Sequence, residues 1–240
     1  MKLKATLLLS TLALSGAAFA QTAAEPDYTL SFNVGAVSDY RYRGISQTRL
    51  KPALQGGADF AHKSGFYLGT WASSIKWIKD AGGGADAEID VYGGYKFSAG
   101  PVGLDVGVLT YNYPSHDLAV SPDTQEGYIA GTFGPATLKY SHSFSNLFGF
   151  SDSKNSYYVD LSAAFDMGGG WSVVPHVGYQ KVKNNSAADY TDYSVTLNKD
   201  FGNGFTASAA LVDTDTDAYV APNGKNLGKA GVVLGVKYSF

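Results

Sequence analysis

A hydrophobic period of two, recurring through most of the chain, is the feature that most constrains its fold. From Tyr28, the residues Leu30, Phe32, Val34 and Ala36 alternate with Thr29, Ser31, Asn33 and Gly35. Alternation of this kind sends one set of side chains to each face of a strand. It returns at Ile89 and Val91 against Glu88 and Asp90, at Leu104 and Val106 against Gly103 and Asp105, and at Val159 and Leu161 against Asp160 and Ser162. The end of the chain repeats it, with Val232, Leu234, Val236, Tyr238 and Phe240 in one phase. Beyond residue 20 no window holds the roughly 18 consecutive apolar residues that mark a membrane-crossing helix.

Twelve candidate strands begin near Tyr28, Pro52, Phe66, Ala87, Val102, Thr124, Ala136, Tyr157, Trp171, Tyr190, Phe205 and Lys229. Each is about ten residues long, enough for a tilted strand to cross a bilayer. The phase is indistinct in the third and sixth, and Pro175 predicts a local break or bulge in the ninth. Five connections are tight, at 62–65, 98–101, 134–135, 168–170 and 202–204. Six are longer, around 41–51, 79–86, 114–123, 145–156, 183–189 and 213–229. Long and short alternate strictly, long first. An even-stranded membrane barrel with both ends periplasmic requires this order, with short periplasmic turns and long extracellular loops. A soluble sandwich does not. The sequence therefore predicts an all-β, antiparallel up-and-down transmembrane barrel of twelve strands.

Aromatics gather at the tight turns: Phe60, Phe66, Phe97, Phe133, Phe165, Trp171, Phe201 and Phe205, with Tyr28 and Phe240 at the ends of the barrel segment. That is the expected interfacial girdle. Tyr238 and Phe240 close an alternating strand in the manner of a barrel-assembly signal, which makes the barrel-assembly machinery an expected partner. At the other end, Lys2 and Lys4 precede an apolar run that exits through Ala18-Phe19-Ala20. This pattern predicts a cleaved signal peptide over 1–20 and a barrel domain over 21–240. Export and barrel together place the protein in the outer membrane of a Gram-negative bacterium, against lipid and lipopolysaccharide.

Composition agrees. Charged residues make up 16% of the chain, against about 25% in an average soluble domain. The net charge of −3 argues against a nucleic-acid partner. There is no cysteine, which removes disulfide frameworks and thiol chemistry. His62, His116, His142 and His176 are scattered without metal-ligand spacing. Asp213, Asp215 and Asp217 begin like a calcium loop, but Ala218 stands where the turn glycine is needed. His142 shares its strand face with Leu138, Tyr140 and Phe144, and Ser143 lies on the other, so no serine nucleophile is paired with it. No catalytic residue, metal or cofactor is expected.

The polar phase supplies the pore-lining candidates. The acids are Asp39, Asp59, Glu88, Asp90, Asp105, Asp160 and Asp166, and the bases are Arg41, Arg43, Lys96, Lys139 and Lys237. Beyond residue 20 the only arginines are Arg41, Arg43 and Arg49, within nine residues of one another. Extending the phase of strand one upward points Arg41 and Arg43 inward at the extracellular mouth and leaves Tyr40 and Tyr42 for the outer interface. Inward arginines either favour anions in the pore or pair with lumen acids such as Glu88 and Asp90.

The runs SDYRYRGISQT at 38–48 and GFYLGTWASSIKW at 65–77, with Glu88-Ile89-Asp90, resemble the TorF-type porin family. The resemblance implies an outer-membrane barrel with a pore, and it carries over neither a substrate nor catalytic residues. The expected function is a passive channel for small hydrophilic solutes. A closed structural or adhesive barrel with binding loops is the alternative, and a lipid-modifying barrel enzyme is third.

Overall fold

The structure is a computed structural model that describes residues 26–240; the expected signal peptide at 1–20 lies outside the described residues. Twelve long strands form a single sheet. They are β1 (Tyr28–Val37), β2 (Ala53–His62), β3 (Phe66–Ser74), β4 (Ala87–Ala99), β5 (Val102–Asn112), β6 (Thr124–Phe133), β7 (Ala136–Ser143), β8 (Tyr157–Ala163, continued by Phe165–Gly168), β9 (Trp171–Lys181), β10 (Tyr190–Gly202), β11 (Phe205–Thr214) and β12 (Gly231–Ser239). Each pairs antiparallel with the next, and β12 pairs with β1 from Asn33↔Ser239 to Val37↔Gly235. Reciprocal backbone bonds between Phe32 and Phe240, 2.8 and 2.9 Å, extend that last seam to the C-terminal residue. A closed ladder leaves no row of unpaired amides and carbonyls, the condition a strand protein must meet inside lipid.

The alternation read from the sequence sorts the side chains. Leu54, Leu211 and Val232 stand 72%, 63% and 61% exposed on the outside of the sheet. A coat of this extent is incompatible with water, whereas an ordinary monomer exposes apolar patches of only a few hundred Å². The girdle aromatics Tyr28, Phe66, Phe97, Phe133, Phe165, Trp171, Phe201, Phe205 and Phe240 are also exposed. Stacked or tilted pairs such as Tyr28–Phe60 and Phe201–Phe205 link them around the short-turn end. Tyr238 stacks on Phe240 at the same level.

Two strand starts shift slightly for identifiable reasons. Pro52 has no N–H for the ladder, so β2 begins at Ala53. Lys229 gives its carbonyl to Arg41, and β12 begins at Gly231. Pro175 also acts differently from the expectation. Its own strand β9 runs unbroken, paired Pro175↔Val195 with β10. The interruption falls on the neighbour β8, at Ala164, in the stretch where Pro175 offers no donor. Ala164 keeps its bond on the other side, to the Pro135 carbonyl.

The interior core lies toward the long-loop end. Tyr40, Ile75, Ile78, Tyr111 and Tyr113 form its largest buried cluster. Ile78 comes from a one-turn helix, α1 (Trp77–Asp80), in the loop after β3. Leu147, Val182 and Ala188 form another cluster among the loops. The long connections therefore pack on one another and on the upper barrel wall.

The lipid coat yields a direct prediction. Leu211→Arg, near mid-strand on the outer face, should cost about 2–4 kcal/mol when the barrel is refolded into vesicles and titrated with denaturant, in the range for a cation at membrane depth. Val212→Arg, one residue away on the cavity-lining phase, should cost clearly less.

Candidate functional site

Between β1 and β2 the chain leaves the sheet and turns into the barrel. Arg41–Tyr42 and Ile45–Ser46 form a two-stranded hairpin, paired Arg41↔Ser46 and Tyr42↔Ile45. Its turn residues are Arg43 at φ 47° and Gly44 at φ 80°, the pair of positive angles that suits a two-residue hairpin turn. Glycine takes such an angle freely. Arginine does so at a cost of roughly 1–2 kcal/mol, so its side chain must make compensating contacts.

Those contacts brace the hairpin across the lumen. The Arg43 guanidinium makes a two-pronged pair with Glu126 on β6, Nη1 to Oε1 at 3.1 Å and Nη2 to Oε2 at 2.6 Å. Nη1 also donates to Gln180 Oε1 on β9 at 2.7 Å. The cation lies 4.2 Å from the ring centre of Tyr158 and 4.8 Å from that of Tyr42. A planar fork matched to a carboxylate and stacked on rings is a geometry that lysine cannot reproduce. Burial alone works against the charged guanidinium, but Glu126 and the neighbouring tyrosines outweigh it and hold the pKa above the ordinary arginine value. Arg41 secures the hairpin's base. Its Nε donates to Asp39 at 2.6 Å, and Nη1 donates to the carbonyls of Gly44 and Lys229, both at 3.0 Å. Asp39 also accepts from the hydroxyls of Ser46 and Thr48. Gly44 fits against the wall formed by β10 and β11. A Cβ there would meet Thr214 Cγ2 at 2.5 Å and Asp192 Cβ at 2.7 Å.

The hairpin separates two spaces, and Tyr42 lines both. On the long-loop side is a cavity of about 430 Å³ with Trp77, Phe148 and Tyr219 in its wall. Beneath the hairpin is one of about 610 Å³, lined by Arg41, Arg43, Asp90, Lys139, Asp160 and His176 among others. A third space of about 250 Å³, bounded by Asn33, Asn198 and Lys237, shares Val37, Gln55 and Trp71 with the second.

Most of the remaining residues singled out from the sequence lie along this interior, and Asp166 does not. Glu88 accepts from Tyr40 Oη at 2.8 Å and from Tyr113 Oη at 3.2 Å. Asp59 accepts from Tyr92 and Asp105 from Tyr67. Lys96 and Lys139 place their ammonium groups 4.9 and 4.1 Å from the rings of Tyr67 and Tyr128. Asp160 bonds His176 Nε2 at 2.6 Å. Asp166 is exposed at a tight turn and accepts from the Gly168 amide. Asp90 lines the 610 Å³ cavity without a hydrogen-bond partner at Oδ1 among the described residues.

Two sequence expectations are corrected. Tyr40 and Tyr42 do not face the outer interface. β1 ends at Val37, so its phase does not extend to them, and both rings pack inside, against Trp71 and against Tyr111 and Phe148. The carboxylates that hold the arginines are Asp39 and Glu126, not Glu88 and Asp90. Glu126 escaped the sequence reading because Gly127 and Gly131 interrupt the outward phase of β6 and blur its alternation. Gln180, Tyr158 and Asp192 carry no motif, and only the inward hairpin gives them a shared role. Outside the barrel, His142 contacts Tyr140 Oη at 3.0 Å and Asn155 Oδ1 at 3.2 Å. No serine is among its hydrogen-bond partners in the described residues.

A closed twelve-stranded antiparallel barrel with an apolar coat, a polar interior and an inward-folded loop defines the class. Within it, the chain belongs to the Gcw_chp family, described as bacterial proteins of unknown function, whose model matches residues 20–240. No curated protein matches it. Among solved structures it is similar to the KdgM porin, with TM-score 0.58 and 10% identity over 88% of this chain and 99% of that one. It is similar also to the NanC porin, with TM-score 0.56 and 11% identity over 88% and 99%. At these identities the likeness is one of fold.

Gly44 gives the test of the hairpin's seat. Gly44→Val should drive it out of the lumen, because the branched side chain meets both a wall and an unfavourable φ. Folded wild-type barrel should resist trypsin at Arg41 and Arg43, whose side chains are each 7% exposed. The variant should be cut there, with the cleavage site read by mass spectrometry.

Proposed function

We propose that this protein is an outer-membrane channel for passive diffusion of small hydrophilic solutes, with the inward hairpin as its constriction. The observation that carries this reading is the interior itself. A barrel coated with apolar side chains encloses a charged wall and cavities on both sides of the hairpin. Charged groups inside a barrel of this size call for water, and a water-filled lumen is a path for solutes. The porins that share the fold support it, as does the TorF-type resemblance of residues 38–48 and 65–77. The leader at 1–20 supplies the route of export, and Tyr238 and Phe240 the signal for assembly. The apolar coat would then contact lipid and lipopolysaccharide. In this reading the lumen wall includes Asp59, Lys96, Asp105, Lys139, Asp160 and Lys237, with Asp39, Arg41 and Arg43 at the constriction.

One observation favours a second reading, a closed barrel whose loops bind a partner. Arg43 is held by an acid, an amide and two rings at once, and so tight an anchor suits a plug. Planar-bilayer recording separates the two. A channel gives discrete current steps from the wild-type protein, whereas a folded barrel that stays silent is a closed one. Arg43→Ala should raise the conductance several-fold by removing the brace. It should also destabilise the barrel by about 3–5 kcal/mol, because Glu126 is left buried without its counter-charge.

A further inference from the structure

Beneath the hairpin, Asp90 stands apart from the acids around it. Asp90 is 8% exposed, and its Oδ1 is enclosed with no hydrogen-bond partner among the described residues. A buried carboxylate ordinarily has donors around it. The cations that line the same cavity are engaged elsewhere. Arg41 is paired with Asp39 and Arg43 with Glu126. His176 lies between Asp160 and Asp192, at 2.6 and 3.5 Å. Lys139 stands opposite Asp160 in the sheet register, with its ammonium over Tyr128.

The neighbours of Asp90 are aromatic. In the sheet it is flanked directly by Trp71 on β3 and Tyr111 on β5, and both rings line the cavity, as does Tyr40. The Tyr111 hydroxyl is committed to Glu126 at 3.2 Å and to Tyr42, and that of Tyr40 to Glu88, so neither serves Asp90. One carboxylate between a tryptophan and a tyrosine offers a counter-charge and an aromatic wall to the same guest. That combination suits an organic ammonium, which brings its own positive charge to the carboxylate from the cavity side and rests against the aromatic wall. It does not suit a hard divalent ion, which needs six or more oxygen ligands. No group of three His, Asp or Glu side chains among the described residues is placed to supply them.

We propose that the 610 Å³ cavity is a binding site for a small solute carrying a protonated amine, with Asp90 as its counter-charge and Trp71 and Tyr111 as its walls. This rests on the channel reading for its place in transport, since it names the class of solute the lumen retains.

Binding and conduction are measured separately, so the two readings fail separately. The probe is ethanolammonium chloride, with ethylene glycol as the uncharged control, at constant ionic strength. In the full-length protein carrying Trp77→Phe and Trp171→Phe, Trp71 on the cavity wall is the one tryptophan left to report binding. A saturable change with ethanolammonium, absent with ethylene glycol and weakened at least tenfold by Asp90→Asn, is the expected result. Heat-modifiable gel mobility checks that the variant is folded. No saturable change, or one that survives Asp90→Asn in the folded variant, overturns the inference even where the barrel conducts. Saturable, Asp90-dependent binding in a barrel that never conducts upholds the site and overturns the channel reading alone.

Discussion

Closure of the backbone ladder is the constraint from which the rest of this structure follows. Twelve strands satisfy their amides and carbonyls only when β12 reaches β1. Once the ring is shut, each strand has one face outside and one inside. The outside then selects leucine, valine and phenylalanine, and the inside selects groups that bond one another or water. The short turns need only reverse the chain, and each of them carries a glycine. The long loops, which have no ladder to join, make their own core of tyrosine, isoleucine and leucine.

Inside, hydroxyl groups manage charge economically. Tyr67, Tyr92, Tyr113 and Tyr158 each donate to a carboxylate, and Tyr67 and Tyr128 carry ammonium groups over their rings. Phenols can thus hold both signs of charge in one interior without requiring every acid to find a base. This gives a physical reason for the 17 tyrosines beyond an interfacial girdle. It also makes the exception visible, because Asp90 lies between two rings and has neither hydroxyl nor cation as a partner among the described residues.

The barrel was legible in the sequence because its signals are local. A period of two, a turn of Gly134-Pro135 and a phenylalanine at a strand end are each read within a few residues, and loop length alone orders the two rims. The site was much less legible. The hairpin is a six-residue excursion whose meaning depends on groups 83 and 137 positions away in Glu126 and Gln180. Extending the phase of β1 past Val37 placed Tyr40 and Tyr42 on the wrong side, since a strand's alternation ends where its ladder ends. Arg43 does sit inside, but through a turn with two positive φ angles rather than through strand phase. Glu126 was hidden by glycines on the outward face of its own strand.

The Arg43 brace has a mechanical meaning apart from any traffic through the lumen. A ring of strands joined only at its circumference flattens easily, because shear between neighbours costs little until hydrogen bonds break. The hairpin, which follows β1, ties points well apart on that ring, with Arg43 on Glu126 of β6 and Gln180 of β9, and Gly44 against Asp192 of β10 and Thr214 of β11. It is a spoke within a hoop. Lateral pressure on the long-loop end of the barrel is then borne in compression across the cross-section as well as around it.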